Sequence, residues 1–208
     1  FFKLNGEYLI DISIESFSAV ANIDLIIISS PDKRVLEYVS RKYDPDKVLS
    51  IERSFNISYI GVDLTQTLHF INDKKKIMRD YDAFLLHSIE APFIKKHLIE
   101  SAINVYKIFD SNTVVSVIED NRQCFNHDGN GMKPLNYSEG IIRYEKEKRF
   151  AGVTGFQLRD CNDFMKTKKM FGDNIGHVTF DKLSSFLIED NLDMQIAEFL
   201  CSNNYNQS

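Results

Sequence analysis

Apolar residues in this chain come in two patterns, short continuous runs and helical stripes, and the two alternate. The runs LIIISS (25–30), DAFLLH (82–87) and TVVSVIE (113–119) are aliphatic and β-branched. Such runs fit strands buried on both faces of a sheet. Between them apolar positions recur every three to four residues, the period of a helix with one face inward. Residues 9–21 place Ile10, Ile14, Phe17 and Ala21 on one face. Ser29-Ser30-Pro31 reads as a cap and first turn, opening a helix to about Tyr43 with Val35, Val39 and Tyr43 inward. Asp63 reads as the cap of a helix from about Leu64 to Met78, with Leu68, Ile71 and Lys75 on its stripe. Pro92 opens a helix whose inner face is Ile94, Leu98, Ala102, Val105 and Phe109. A further short strand fits near 47–51 or 57–60. This order predicts parallel βαβ units, with the three strong strands adjacent in one layer.

The pattern loosens after residue 120. NHDGNG (126–131) is a turn cluster, and RYEKEKRF (143–150) is a charge run. FAGVTGFQL (150–158) reads as a strand, followed by a short helix near 160–171. Strands are expected near 177–180 and 185–188, and a helix over 190–201. The reading is one domain over 1–208, a mostly parallel, Rossmann-like α/β sheet flanked by helices, with a small arm at 120–150.

Composition narrows the function classes. The formal net charge of −5 leaves no basic excess to neutralise a phosphate backbone, so nucleic acid is not an expected partner. No apolar run approaches the roughly 18 residues of a membrane span. Phe1–Tyr8 carries Lys3 and Glu7 and does not read as a signal peptide. Three widely spaced cysteines, Cys124, Cys161 and Cys201, match neither a disulfide framework nor a zinc pattern and suit a reducing cytoplasm.

No complete catalytic motif stands out. The nine glycines form neither GxGxxG nor GxxxxGK[ST], and GxSxG and HExxH are absent. NHDGNG lacks the alternating acids and distal glutamate of a calcium loop. Two acids have a suggestive setting, because ligands of open α/β sheets bind beyond the carboxyl ends of strands. Glu90 follows the run 82–87 and Glu189 follows 185–188. Two carboxylates from neighbouring strand ends can share a magnesium ion that also bridges phosphate oxygens. Either acid can equally be a solvated residue favoured by a helix N-terminus. Asp63 reads as a cap, Arg53 as a loop cation and His87 as a core histidine at a strand end.

Several stretches, taken in order, resemble the cytidylyltransferases that activate sugar acids, best the acylneuraminate (CMP–sialic acid) synthetase group, which is of the GT-A-type nucleotidyltransferase class. LNGEYLIDISIESF is similar to the family's L-x-G-K-P-L-I and first helix, and IDLIIISSPDKRVLEYVSRKY to its D-x-[IV]-[IV]-V-S-T-D strand and the helix after it. VDLTQTLHFI resembles its D-T-A-S segment, TVVSVIED its S-V-V-S-V, and NHDGNGMKPL its D-G-x-x-K-P-L turn. SSFLIEDNLDMQIAEFL is similar to S-I-D-I-D-T-x-x-D-F-x-x-A-E. The departures are specific. The family's glycine-rich, basic nucleotide loop would lie before Phe1. The D-x-D metal pair is Leu187-x-Glu189, L-Q-P-T-S-P is LHSIEAP, and N-G-A is Ala151-Gly152-Val153. The resemblance implies cytidylyl transfer from CTP to a sugar acid with release of pyrophosphate, aided by Mg²⁺. It implies nucleotide binding by Arg53, Asp63 and His87, a metal held by Glu90 and Glu189, and a homodimer in which the arm crosses to the partner and Met170 and Phe171 line its substrate pocket. Two alternatives remain open: a homologue that binds without catalysing, and a broader sugar-phosphate nucleotidyltransferase.

Overall fold

A computed structural model describes residues 1–58, 63–122, 124–135 and 148–203. In chain order the elements are β1 (Lys3–Leu4), β2 (Glu7–Tyr8), α1 (Leu9–Ser18), β3 (Ile26–Ser30), α2 (Lys33–Lys42), β4 (Val48–Glu52), α3 (Leu64–Lys75), β5 (Ala83–His87), α4 (Lys96–Ile108), β6 (Thr113–Glu119), β7 (Phe125–His127), β8 (Met132–Pro134), β9 (Phe150–Asp160), α5 (Cys161–Thr167), β10 (Ile175–Thr179) and α6 (Asn191–Ser202). Of the two sites considered for a short strand, the first is β4; the second runs partly outside the described residues. Among the described residues no helix is long and apolar enough to cross a membrane.

The fold is α/β, with helices packed on sheets whose strands are mixed in direction. The main sheet has the order β10-β6-β9-β5. β10 runs parallel to β6, while β9 lies antiparallel to both β6 and β5. β3 and β4 form a separate parallel pair. The expected adjacency of 25–30, 82–87 and 113–119 is therefore corrected: β9 separates β5 from β6, and β3 bonds only to β4 among the described strands. Local pattern could not show this, because β9 comes from beyond the arm and inserts backwards between two strands that precede it.

β9 brings polar groups into the interior, and each is satisfied there. Arg159 is fully buried. Its Nη1 donates to the Asn112 carbonyl at 2.7 Å, its Nε to the Lys169 carbonyl at 3.1 Å, and its Nη2 to Asp163 and to Thr167 Oγ1. Gln157 Nε2 donates to the Met170 carbonyl at 2.7 Å. Where the β6–β9 register shifts between Val115 and Val117, the hydroxyl of Ser116 lies 3.0 Å from the carbonyls of Val153 and Phe156. A buried side chain thus replaces ladder bonds interrupted by the bulge.

The core runs along both sheets. α4 packs Leu98, Ile99 and Ala102 against Val114, Leu158 and Val178, with Phe17 and Val20 in the same cluster. Ile10 and Ile14 of α1 meet Val39 and Val48 in another. Leu68, Cys161 and Phe164 form a third beneath α3 and α5. Several ends differ from expectation. α2 is capped by Asp32, which accepts from the Arg34 N–H, while Ser30 Oγ accepts from the Asp32 N–H. α4 starts at Lys96, after a turn that already buries Phe93 and Ile94, so Phe109 lies past its end, exposed. Residues 185–188 are not a strand; Phe186 and Ile188 instead anchor a loop into a cluster with Leu4, Leu9, Phe93 and Ala197. The arm shows one exposed hairpin, β7–β8, and its residues 136–147 lie outside the described set.

Breaking a buried, hydrogen-bonded ion pair by removing one partner costs about 3–5 kcal/mol. Arg159→Ala is expected to lower the urea midpoint by that order, without a change in slope. A loss under 1 kcal/mol would show that the guanidinium does not hold the β9 junction.

Candidate functional site

The residues singled out in the sequence fall mainly beyond the carboxyl ends of β4 and β5. Arg53 directly follows β4, and its backbone N–H donates to the Ser30 carbonyl at the end of β3. Its Nη1 is 3.5 Å from Thr67 Oγ1, on α3, and its Nε is buried with no partner among the described residues. Burial lowers its pKa. Asp63 caps α3, accepting from the Thr65 N–H at 2.9 Å, and this bond holds its carboxyl below the usual range. Arg53 and Asp63 thus attend the opening turns of one helix.

His87 closes β5. Its Nε2 is 3.0 Å from Ser13 Oγ, and its ring packs on Phe17 at 4.7 Å. Nδ1 is buried without a hydrogen bond of normal geometry. Burial lowers the pKa to about 4, against a smaller upward push from the Gly155 carbonyl. Ser29 Oγ, near the end of β3, is also buried without a partner among the described residues. Sequence reading passed over Ser29 except as a cap; the signal available was a hydroxyl closing a buried apolar strand.

Glu90 and Glu189 are brought together by the backbone. The Ile188 N–H donates to the Glu90 carbonyl at 2.9 Å. The two loops also close around Gly155 of β9, whose φ is +95°. A Cβ at that glycine would sit 3.3 Å from both Leu187 Cδ2 and Ser88 Cβ. Both carboxylates are exposed. Glu90 Oε2 accepts from Ser88 Oγ at 3.1 Å, and the Glu189 N–H donates to Asp193, which with Asp190 forms the capping box of α6. Among the described residues, no three histidines, cysteines or acids are grouped as a metal cluster.

Met170 and Phe171 lie elsewhere. The Gly172 N–H donates to Thr113 Oγ1, at the first residue of β6. β5 and β6 both run antiparallel to β9 and so point the same way. Within one chain, Met170-Phe171 is therefore at the amino end of the sheet and Glu90 beyond its carboxyl end. Phe171 is exposed, while Met170 packs against the cluster around Phe164.

A cavity of about 440 Å³ opens away from the strand ends, on the outer face of α2. Phe1, Tyr8 and Tyr38 line it with Arg34, Arg41 and Lys42. Behind it Asp11 is buried and accepts from Tyr38 at 2.5 Å and Tyr43 at 2.7 Å, with Lys42 at 2.8 Å. Burial alone would raise the Asp11 pKa; the bonds from Lys42, Tyr38 and Tyr43 outweigh it and lower it. Arg34, Arg41 and Lys42 are each paired with an acid, so this cavity is electrostatically answered from within.

No family model matches the chain, and no curated protein matches its sequence. Solved structures share its fold. A 4-diphosphocytidyl-2C-methyl-D-erythritol synthase from Anaerococcus prevotii has a TM-score of 0.68 at 15% identity, over 96% of this chain and 88% of its own. A CMP:2-keto-3-deoxy-manno-octonic acid synthetase complexed with CTP has a TM-score of 0.67 at 11% identity, over 98% and 91%. Molybdopterin-guanine dinucleotide biosynthesis protein A from Archaeoglobus fulgidus has a TM-score of 0.55 at 16% identity, over 97% and 89%. At these identities the likeness establishes the fold. None of the three is by name an acylneuraminate enzyme.

The lowered pKa of His87 has a pH consequence. An unfolded histidine titrates near 6.5, so between that value and about 4 the unfolded chain binds more protons. Stability is full above pH 6.5 and is lost as pH falls toward 4, by on the order of 3 kcal/mol from this residue. Chemical denaturation of wild type and His87→Phe across pH 4–7 is expected to show this dependence in the wild type and its loss in the variant. Equal slopes would show that His87 is not held neutral.

Proposed function

We propose that this chain transfers a cytidylyl group from CTP to a sialic-acid-like sugar acid, releasing pyrophosphate. The observation that carries the reading is that three of the four buried side-chain polar atoms with no hydrogen-bond partner of normal geometry among the described residues, Ser29 Oγ, Arg53 Nε and His87 Nδ1, gather at the carboxyl ends of β3, β4 and β5; the fourth, Ser111 Oγ, lies at the other end of the sheet. Open α/β sheets bind ligands at such ends. A nucleotide supplies donors and acceptors of the kind these atoms lack. Cytosine as the base is supported by the two structural neighbours named for cytidyl chemistry, one of them complexed with CTP. The sugar acid rests on the ordered sequence resemblance.

In this reaction a sugar hydroxyl oxygen attacks the α-phosphorus, the bond to the bridging oxygen breaks, and pyrophosphate leaves as the hydroxyl proton is lost. Arg53 is placed to meet phosphate charge. Glu90 and Glu189 are hard oxygen donors on loops joined by a backbone bond, which suits Mg²⁺, an ion that keeps several waters and takes one or two carboxylates. When bound, the ion would neutralise charge on the phosphates. The protein is read as a cytoplasmic homodimer. Its hairpin arm exposes Phe125, Met132 and Leu135, apolar surface that a second copy would cover. Met170 and Phe171, remote from Glu90 within one chain, would then reach the partner's substrate pocket.

A second reading has its own observation. Leu187 stands where the resembled pattern has an acid, which favours a homologue that binds nucleotide without turnover.

CTP with Mg²⁺ is expected to stabilise the protein, by about 2.7 kcal/mol at a hundred times Kd, more than ATP or GTP at equal concentration. Arg53→Ala should weaken CTP about tenfold or more, as loss of a charged hydrogen bond predicts. Pyrophosphate release with a sialic acid supports the enzyme, and Glu189→Gln should abolish its magnesium dependence. CTP protection without pyrophosphate from any sugar acid supports the binding protein. No protection by any nucleotide overturns both readings.

Sedimentation at micromolar concentration is expected to give a dimer, and Met132→Asp to shift it toward monomer. A monomeric wild type would remove the arm from the proposal.

A further inference from the structure

Positive charge gathers on one part of this acidic molecule, and two segments carry it. Lys74 and Lys75 end α3, Lys76 is its cap, and Arg79 closes the short turn Ile77–Arg79 that follows. Lys166 lies in the last turn of α5, Lys168 is its cap, and Lys169 comes next. All seven residues are exposed. The fold sets the two segments side by side. Asn72 Nδ2, one turn before the α3 cap, lies 3.5 Å from Met165 Sδ on α5. Asn72 Oδ1 accepts from the Met78 N–H at 3.2 Å, and Met78, Phe164 and Met165 pack in one cluster. The two helix ends therefore open on a common surface.

Helix capping explains only part of this. The helix dipole favours a cation in the last turn, which accounts for Lys74, Lys75 and Lys166. Arg79 and Lys169 lie past the helix ends. Lys76 and Lys168 hold φ of +54° and +59°, at positions that glycine usually takes. Among the described residues none of the seven pairs with a carboxylate. Lys74 Nζ donates to the Glu52 carbonyl at 3.1 Å and lies 4.5 Å over the Phe70 ring. Residues 73–80 and 166–169 hold these seven cations and two acids, Asp73 and Asp80, a formal charge of +5 in a chain of −5, so the rest of the molecule carries −10.

We propose that this surface docks on the anionic phospholipid headgroups of a bilayer face. Its sign calls for an anionic partner, and its composition selects which one. Six of the seven cations are lysine. Arginine is the residue that grips nucleic-acid phosphates bidentately, and lysine is depleted at protein–protein interfaces. A cluster of about four to eight basic residues suits an anionic bilayer, whose fluid headgroups move to meet flexible point charges. The −10 elsewhere also argues against nucleic acid, whose phosphates would continue from the patch onto acidic surface. A planar bilayer meets one face only. Docking of this kind needs no segment that crosses the membrane, and it is independent of whether the chain binds or turns over CTP.

The test is pelleting of the full chain with vesicles of phosphatidylcholine alone or with about one third phosphatidylserine. Binding is expected to the anionic vesicles at about 0.05 M salt, and its loss at about 0.5 M, where charges are screened within a few ångströms. Neutral vesicles should not bind. Lys75→Glu with Lys168→Glu should weaken binding about thirtyfold or more, since each lysine near such a surface contributes about a factor of five. Lys47→Glu with Lys96→Glu makes the same change in net charge away from the patch and should leave binding within about twofold. Thermal midpoints equal to wild type show that both variants fold; Lys75→Gln with Lys168→Gln gives a milder loss should the first pair unfold. Four results would overturn the proposal: no binding to anionic vesicles at low salt, equal binding to neutral ones, equal loss in the two Glu variants, or tighter binding to duplex DNA or polyglutamate than to the vesicles.

Discussion

The architecture depends on one strand entering backwards. β9 arrives antiparallel between β5 and β6, two strands that a βαβ succession would set side by side. Its insertion carries Gln157 and Arg159 into the interior, where unpaired polar groups would be costly. The chain answers with carbonyls from residues 112, 169 and 170 and with Asp163. Those bonds fix the turn after α5 and the approach to β6 and β10 together. The position of β10 on the far side of β6 follows from that junction, as do the bulge and its Ser116 hydroxyl.

The same strand shapes the candidate site. Gly155 permits the loop after β5 and the loop before α6 to close on the strand, and their contact places Glu90 beside Ile188 and Glu189. The residues proposed to meet a nucleotide are positioned by different means. Arg53 and Asp63 take their places from β4 and from the start of α3, and His87 from α1. The candidate site is thus a meeting of independent supports, with atoms that the described residues leave unsatisfied.

Charge is handled differently on the two sides of the molecule. On the outer face of α2 a buried carboxylate collects two phenols and a lysine, and the neighbouring arginines are paired, so the charges there are answered from within. At the strand ends the half-buried Arg53 and His87 have no such carboxylate among the described residues, and desolvation lowers both pKa values. That contrast, more than the presence of a cavity, sets the candidate site apart from the paired cluster on α2.

The sequence by itself determined the elements whose cause is local. Continuous apolar runs located β3, β5 and β6 within a residue, and Asp63 and Asp190 marked helix starts, because burial on two faces and capping are written in neighbouring residues. It also placed Glu90 and Glu189 at loops that prove to be joined. Tertiary structure decided what depends on distant partners. The order of strands rests on long-range pairing that no periodicity encodes. The loop 185–188 resembles a strand in composition, yet its apolar side chains are buried by packing against Phe93 and Ala197 and not by a ladder. Phe109, on the apolar stripe by spacing, is exposed because α4 ends at Ile108, just before it. Whether an acid binds an ion, or a hydroxyl such as that of Ser29 stays without a partner, is set by what the fold brings within a few ångströms, and that information lies in no single stretch of the chain.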